Sequence, residues 1–311
     1  AKMTNQSECP LMLQVLFPFL EKKQIRQDDN VLRGCLFTAM TSPLEWTESQ
    51  IKSQSVFLLL DALRVNLGGV LVHWGPFASG KSHALKDLTV HLRRGENIAK
   101  YINARHFDRA VHISFGNFMK SELGLPLDRA LGDICNLFPA VPAGKVKPTM
   151  IIDHIEDVMD QPDTQQVLTG FARECRETNS FKVLVCTSSL AHATSVLKWN
   201  GGTKFRLACW PCSCRWEESL LRLYLAGFAS TKFLSKDELE SVLSCAVICG
   251  SPGKVDEIVA ASPKARLHLS SSTAEAWSEG FDALKYFAER DSAMGDPDTA
   301  VQTSGANDAV E

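Results

Sequence analysis

Val70-Leu71-Val72-His73-Trp74-Gly75-Pro76-Phe77-Ala78-Ser79-Gly80-Lys81-Ser82 is the stretch on which the fold turns. Its first five residues are mostly apolar and suit a strand buried in a parallel sheet. A loop of the pattern Gly75-x4-Gly80-Lys81-Ser82 follows at once. Behind it, residues 82–94 carry Leu85, Leu88 and Leu92 at helical spacing, and Gly95 ends the run. Strand, glycine-bounded loop and helix in that order are the context a phosphate-binding loop requires. The glycines let the backbone curl so that successive N–H groups face an anion. The new helix adds its positive end.

Gly75, Pro76, Phe77, Ala78, Ser79, Gly80, Lys81 and Ser82, with His83 adjoining, are therefore the expected nucleotide-binding residues. Lys81 is expected at the β- and γ-phosphates, and Ser82 is expected to offer its hydroxyl to Mg²⁺. Average residue frequencies give a chain of this length such a pattern about once in a hundred cases, before the flanking strand and helix are required.

Outward from the loop, helices and strands alternate. Residues 48–65 read as a helix with Val56, Leu59, Leu60 and Leu63 on one face, closed by Gly68-Gly69. Further strands are expected at 111–115, 149–152, 182–186 and 204–208, and helices at 118–123, 127–137 and 164–178. That alternation predicts an α/β fold with three layers, a central parallel sheet between helices. After Trp210 the pattern changes to helices alone, at 217–228, 236–248, 252–261 and 272–290. The expected organisation is an irregular N-terminal extension over 1–46, a P-loop α/β domain over 47–210, a smaller all-helical lid over 211–290, and a small, polar, disordered tail over 291–311.

Met150-Ile151-Ile152-Asp153 is an apolar strand that ends in a carboxylate about seventy residues after the loop. A divalent ion beside phosphates wants such a group opposite the loop, so Asp153 joins Ser82 as an expected Mg²⁺ partner. The other reading of Asp153 is a strand-end cap. Hydrolysis would need a group to activate water. His154 follows Asp153 directly, and Glu156 and Asp157 come next. Glu156 and His154 are the candidate bases, and Glu156 and Asp157 each read equally as a solvated charge at a helix start.

The order of these pieces resembles the AAA+ and STAND group of P-loop ATPases, especially their origin-recognition-like branch. Gly75–Ser82 looks like Walker A and Ile151-Ile152-Asp153 like Walker B. Val183-Leu184-Val185-Cys186-Thr187-Ser188-Ser189 looks like a sensor 1 strand, which implies that Thr187 or Ser188 reaches the γ-phosphate or its water. Gly250-Ser251-Pro252-Gly253-Lys254 looks like sensor 2, which implies that Lys254 reaches the nucleotide from the lid. The resemblance covers about 50–260 and departs from the family at two positions. His154 stands where Glu is usual, and Lys254 where Arg is commoner. Arg206, Lys198, Arg173 and Arg176 are available as an arginine finger, and each reads equally as a surface charge. The resemblance implies ATP rather than GTP, Mg²⁺, self-assembly as one option, and remodelling or gating of a protein or nucleic-acid partner. No Asn/Thr-Lys-x-Asp base-reading motif is present at a strand end. His154 also favours a second function, a nucleotide switch with little turnover. A small-molecule kinase would want a more Arg-rich mobile segment than Arg93-Arg94 and Arg105 to Arg109 supply, and a viral-type helicase a shorter spacing from loop to acidic strand.

Composition agrees with this class. Hydrophobic residues make up 45% of the 311 and charged residues 22%, with a net charge of −3. A core can be buried, and no global attraction to nucleic acid or anionic membrane follows. No apolar run reaches the roughly 18 residues of a membrane span, and no signal-peptide pattern opens the chain. The ten cysteines read as free thiols in a reducing compartment, cytoplasm or nucleus. Cys209, Cys212 and Cys214 with Cys245 and Cys249 make an irregular zinc pattern at best.

Overall fold

The computed structural model describes residues 29–46, 54–64, 69–95, 97–138, 146–199, 205–209, 218–227 and 234–293. Five parallel strands form one sheet: β1 (Val70–Trp74), β2 (Ala99–Asn103), β3 (Thr149–Asp153), β4 (Lys182–Thr187) and β5 (Phe205–Cys209). Their spatial order is β2-β3-β4-β1-β5. Every residue of β1, β3 and β4 is buried, as expected of strands covered on both faces.

Helices lie on the two faces. On one, α2 (Gln54–Arg64) packs on α3 (Lys81–Arg94), with α2 against β5 and α3 against β2 and β3. On the other, α6 (Thr164–Thr178) covers β1 and β4, and α7 (Leu190–Lys198) covers β1, β4 and β5. The short helices α4 (Phe115–Glu122) and α5 (Asp133–Leu137) pack on α6. The three-layer α/β sandwich of P-loop proteins is thus the architecture. Right-handed crossovers give the reason for the two faces. The chain leaves β1 for the far edge at β2, then steps back through β3 and β4 and passes β1 to reach β5. The direction reverses once, and with it the face that receives the connecting helix. The carboxyl ends of β1, β3 and β4 consequently open on a crevice at a topological switch point, where ligands of open α/β sheets bind.

Three expectations fail for local reasons. The expected strand over 111–115 is a turn leading into α4, with Val111 69% and Ile113 92% exposed. The second strand is instead β2, where only Ala99 and Ile102 are buried and the other three residues are partly exposed, as its edge position allows. Within the expected helix over 127–137 only α5 forms. The N-terminal stretch, expected to be irregular, carries a helix over 29–41, here α1. Leu32, Leu36 and Met40 recur every four residues and are buried in the main core, and Asp29 and Asn30 lie within the helix. Helix α7, absent from the sequence reading, starts at Ser189, whose Oγ accepts from the His192 N–H.

Beyond the sheet come α8 (Glu218–Gly227), α9 (Lys236–Cys249), α10 (Val255–Ala260) and α11 (Pro263–Ala293). Leu221, Leu225, Val242, Ala246, Cys249, Val255 and Ile258 build a separate small core among them. A capping box between Ser235 and Glu238 starts α9, and Gly250 at φ 62° ends it. The long α11 belongs to both units. Its first half lies along α9 and α10, while Trp277, Leu284 and Phe287 enter the core of the sheet domain. Trp277 meets Trp74 edge-on at 6.1 Å between ring centroids and donates its indole N–H to the Cys249 carbonyl at 3.1 Å. At Gly280 the helix lies directly on the Trp74 ring.

Candidate functional site

The loop between β1 and α3 carries positive φ at Ala78 (64°) and Gly80 (88°), and at neither of their neighbours. Alternation of this kind is the backbone geometry of an anion-binding nest. The first intrahelical bond of α3 runs from the Ala84 N–H to the Gly80 carbonyl at 3.0 Å. The N–H groups of Lys81, Ser82 and His83 thus have no partner inside the helix. Lys81 is 6% exposed, and its Nζ donates to the carbonyls of Gly75 (2.7 Å) and Pro76 (2.8 Å) and to Ser79 Oγ (3.4 Å). The ammonium is therefore held in the mouth of the loop, beside the orphan amides.

Asp153, at the end of β3, is 1% exposed. Its Oδ2 accepts from the Tyr101 hydroxyl at 2.8 Å and its Oδ1 from the His154 N–H at 2.9 Å. Burial first, then Asp153, pushes the Tyr101 hydroxyl pKa upward, so the phenol stays a donor. Tyr101 escaped the sequence reading because its edge strand was not recognised.

His154 sits in the left-handed region at φ 58°, a conformation that costs a non-glycine residue about 1 kcal/mol or more. The backbone twist turns its ring toward the loop. Nε2 lies 3.3 Å from Ser82 Oγ and 3.6 Å from Asp153 Oδ2, and Nδ1 lies 3.8 Å from Glu156 Oε1. Ser82 and Asp153 do come together across the crevice, with the imidazole nitrogen bridging them. Mg²⁺ is a hard cation that wants oxygen ligands at about 2.0–2.1 Å in octahedral geometry. A histidine nitrogen between the two oxygens does not fit that ion, and both Asp153 oxygens already accept hydrogen bonds.

Glu156 reaches from the turn after β3 to the end of β4, where its Oε1 accepts from the Ser188 N–H at 3.2 Å. Burial raises its pKa, but hydrogen bonds from His154, its own amide, Thr187 and Ser188 outweigh this and hold it at about 2. A carboxylate held so low is a weak proton acceptor near neutral pH. Thr187 Oγ1 accepts from the Ser189 N–H at 3.0 Å, which ties it to the start of α7.

Lys254 arrives from the other unit. The turn Pro252–Lys254 places the Gly253 N–H 2.9 Å from the Ala78 carbonyl, a direct backbone bond to the loop. A Cβ on Gly253 would stand 2.7 Å from that oxygen. Lys254 Nζ pairs with Glu257 at 2.8 and 2.9 Å and lies 5.7 Å from the exposed Phe77 ring. His83 faces outward against Trp46, ring to ring at 4.9 Å, and its pKa is lowered by burial and then by Lys86. Trp46 is anchored by its indole N–H to Asp87 at 2.8 Å, a contact with no signature in the sequence. Among the possible finger residues, Arg173 pairs with its neighbour Glu174, and the side chain of Arg206 is outside the described residues. Cys245 and Cys249 are buried free thiols, Cys212 and Cys214 lie outside the described residues, and no group of three metal-binding side chains occurs among the described ones. Among those residues no helix is long and apolar enough to cross a membrane.

No family model matches the chain. No curated protein matches it either. Among solved structures it is similar to the Aeropyrum pernix ORC2 protein, solved as ADPNP–ADP complexes, at 14% identity and a TM-score of 0.44, with 85% of this chain and 74% of that one covered. It is similar to a Walker-type ATPase of Pyrococcus abyssi at 12% identity and a TM-score of 0.41, with 76% of each chain covered. It is also similar to domain III of the Thermotoga maritima replication initiation protein DnaA, at 13% identity and a TM-score of 0.39, covering 75% of this chain and 94% of that one.

Proposed function

We propose that this chain is an ATP-binding P-loop protein of the AAA+ type that acts as a nucleotide-dependent switch with little turnover. The observation that carries the reading is the loop. Left-handed Ala78 and Gly80, the orphan amides of Lys81, Ser82 and His83, and the Lys81 ammonium share one mouth at the carboxyl end of β1. Those are the groups that hold an anion at a helix start. Phosphates entering the mouth offer Lys81 Nζ better acceptors than the carbonyls of Gly75 and Pro76.

The helical unit supplies the readout. Its Gly253 N–H is bonded to Ala78 in the loop itself. A loop that shifts around phosphates shifts that acceptor, and the turn Pro252–Lys254 moves with it. The low pKa of Glu156 and its bond to Ser188 favour the switch over fast hydrolysis. His154 is the remaining candidate base, and its ring is engaged on both sides. The partner remodelled or gated, whether protein or nucleic acid, and any self-assembly stay within the same proposal, as does a location in cytoplasm or nucleus.

Calorimetric titration with ATP tests the reading. Wild type should bind saturably and Lys81→Ala at least tenfold more weakly, because a charge-assisted bond to phosphate is worth roughly 1.5–3 kcal/mol. Phosphate release should be slow and unchanged by Glu156→Gln. Flat heats for wild type would refute nucleotide binding, and a fast rate abolished by Glu156→Gln would refute the switch.

A further inference from the structure

His154 Nε2 touches both oxygens that would share a divalent cation, Ser82 Oγ at 3.3 Å and Asp153 Oδ2 at 3.6 Å. The ring is fixed at its other nitrogen by Glu156 Oε1 at 3.8 Å, and its backbone is fixed by the bond from its own N–H to Asp153 Oδ1 at 2.9 Å. Tyr101 donates its hydroxyl to Asp153 Oδ2, the same oxygen that His154 Nε2 faces. The side chain is 15% exposed, so little room remains around it. A left-handed non-glycine residue persists only where its surroundings over-determine it, and here contacts from Ser82, Asp153 and Glu156 do so.

From this arrangement we infer that His154 takes the position a divalent cation would hold, so that the chain binds ATP with no requirement for Mg²⁺. The inference rests on the ATP reading and adds a property of that same site. Mg²⁺ avoids nitrogen ligands. To coordinate Ser82 Oγ at about 2.1 Å, the ion would have to expel the ring and break its contacts with Ser82, Asp153 and Glu156 together. The phosphates are instead neutralised by Lys81 and by the amide end of α3. An ATP site that works without the ion gives up the charge that the ion lends to phosphoryl transfer, in keeping with a switch of low turnover.

The experiment uses the full chain and the fluorescent probe N-methylanthraniloyl-ATP, with Kd measured in excess Mg²⁺ and in EDTA. Wild type should bind the probe at least as tightly in EDTA as in Mg²⁺, since an ion carried by the free nucleotide has to be left behind on entry. His154→Gly removes the ring and suits the positive φ, so folding is favoured, and His154→Asn is a second variant tolerant of that backbone. Both should acquire a preference for Mg²⁺ of about tenfold or more, the equivalent of one added contact to the ion near 1.4 kcal/mol. Melting curves verify that each variant is folded. A wild type weakened tenfold by EDTA would overturn the inference while leaving ATP binding intact. Variants that keep the wild-type ratio would overturn it as well. A wild type that binds the probe in neither buffer would refute the ATP reading itself.

Discussion

Gly280→Ala sets two effects of opposite sign against each other. Gly280 lies inside α11, where alanine is favoured over glycine by about 1 kcal/mol. On propensity alone the variant would be more stable. A Cβ at this position, however, would come closer than 3.0 Å to three atoms of the Trp74 indole. Carbon atoms pack at about 3.5–4.0 Å, so the ring has to retreat by around an ångström or more. It has nowhere to go, because Trp74 is 2% exposed and lies edge-on to Trp277, which is 1% exposed. Overpacking of this kind costs typically about 1–3 kcal/mol and occasionally more. The upper half of that range less the propensity gain leaves a net loss of about 1–2 kcal/mol, or roughly 1.5–3 °C in Tm for a chain of this size. Gly170 is the internal control. It also lies within a helix, α6, but nothing stands within 4 Å of its added Cβ, so Gly170→Ala should raise Tm by roughly 1–2 °C. Thermal unfolding followed by circular dichroism reads both. If Gly280→Ala rises alongside Gly170→Ala, α11 does not lie on the end of β1, and the packing that connects the helical unit to the residue before the loop is wrong.

The acid limb of stability tests Glu156. Its folded pKa of about 2 is below the ordinary 4.5, so the unfolded chain takes up the proton first as pH falls. Its contribution is complete above about pH 4.5 and is lost between there and about pH 2. Urea unfolding should therefore show Glu156→Gln less stable than wild type at pH 7 with the gap closing toward pH 2, and a constant gap would count against the bonds assigned to Glu156. Gly253→Ala should break the 2.9 Å bond to the Ala78 carbonyl, because its Cβ would stand 2.7 Å from that oxygen. Amide exchange should then quicken at 75–80 and 250–255 while the sheet stays protected, and unchanged exchange at both would show that the turn does not rest on the loop.

How much of this was legible beforehand depended on whether the information was local. The turn from β1 into α3 is written in a strand, two glycines, a lysine and a helix start within thirteen consecutive residues, so sequence alone located that turn and the apolar strands ending at Trp74 and Asp153. Buried central strands are mostly apolar, and they were read correctly. The edge strand β2, half exposed, lost that mark, and exposed Val111 and Ile113 imitated it. Helix α1 was missed because its three core residues recur among turn-forming neighbours.

Sequence also singled out His154 as a departure from the expected pattern, but could not say where its ring goes. That was decided by a backbone twist at φ 58° and by Ser82, seventy-two positions away, meeting it across the crevice. Tyr101 on Asp153, Glu156 on Ser188, Gly253 on Ala78 and Gly280 on Trp74 are all contacts of this kind. Periodicity and propensity report which face of an element is buried, and so they determined the layers and the loop. Which side chain then meets which across the sheet depends on strand order and crossover direction, and only the folded chain holds that information.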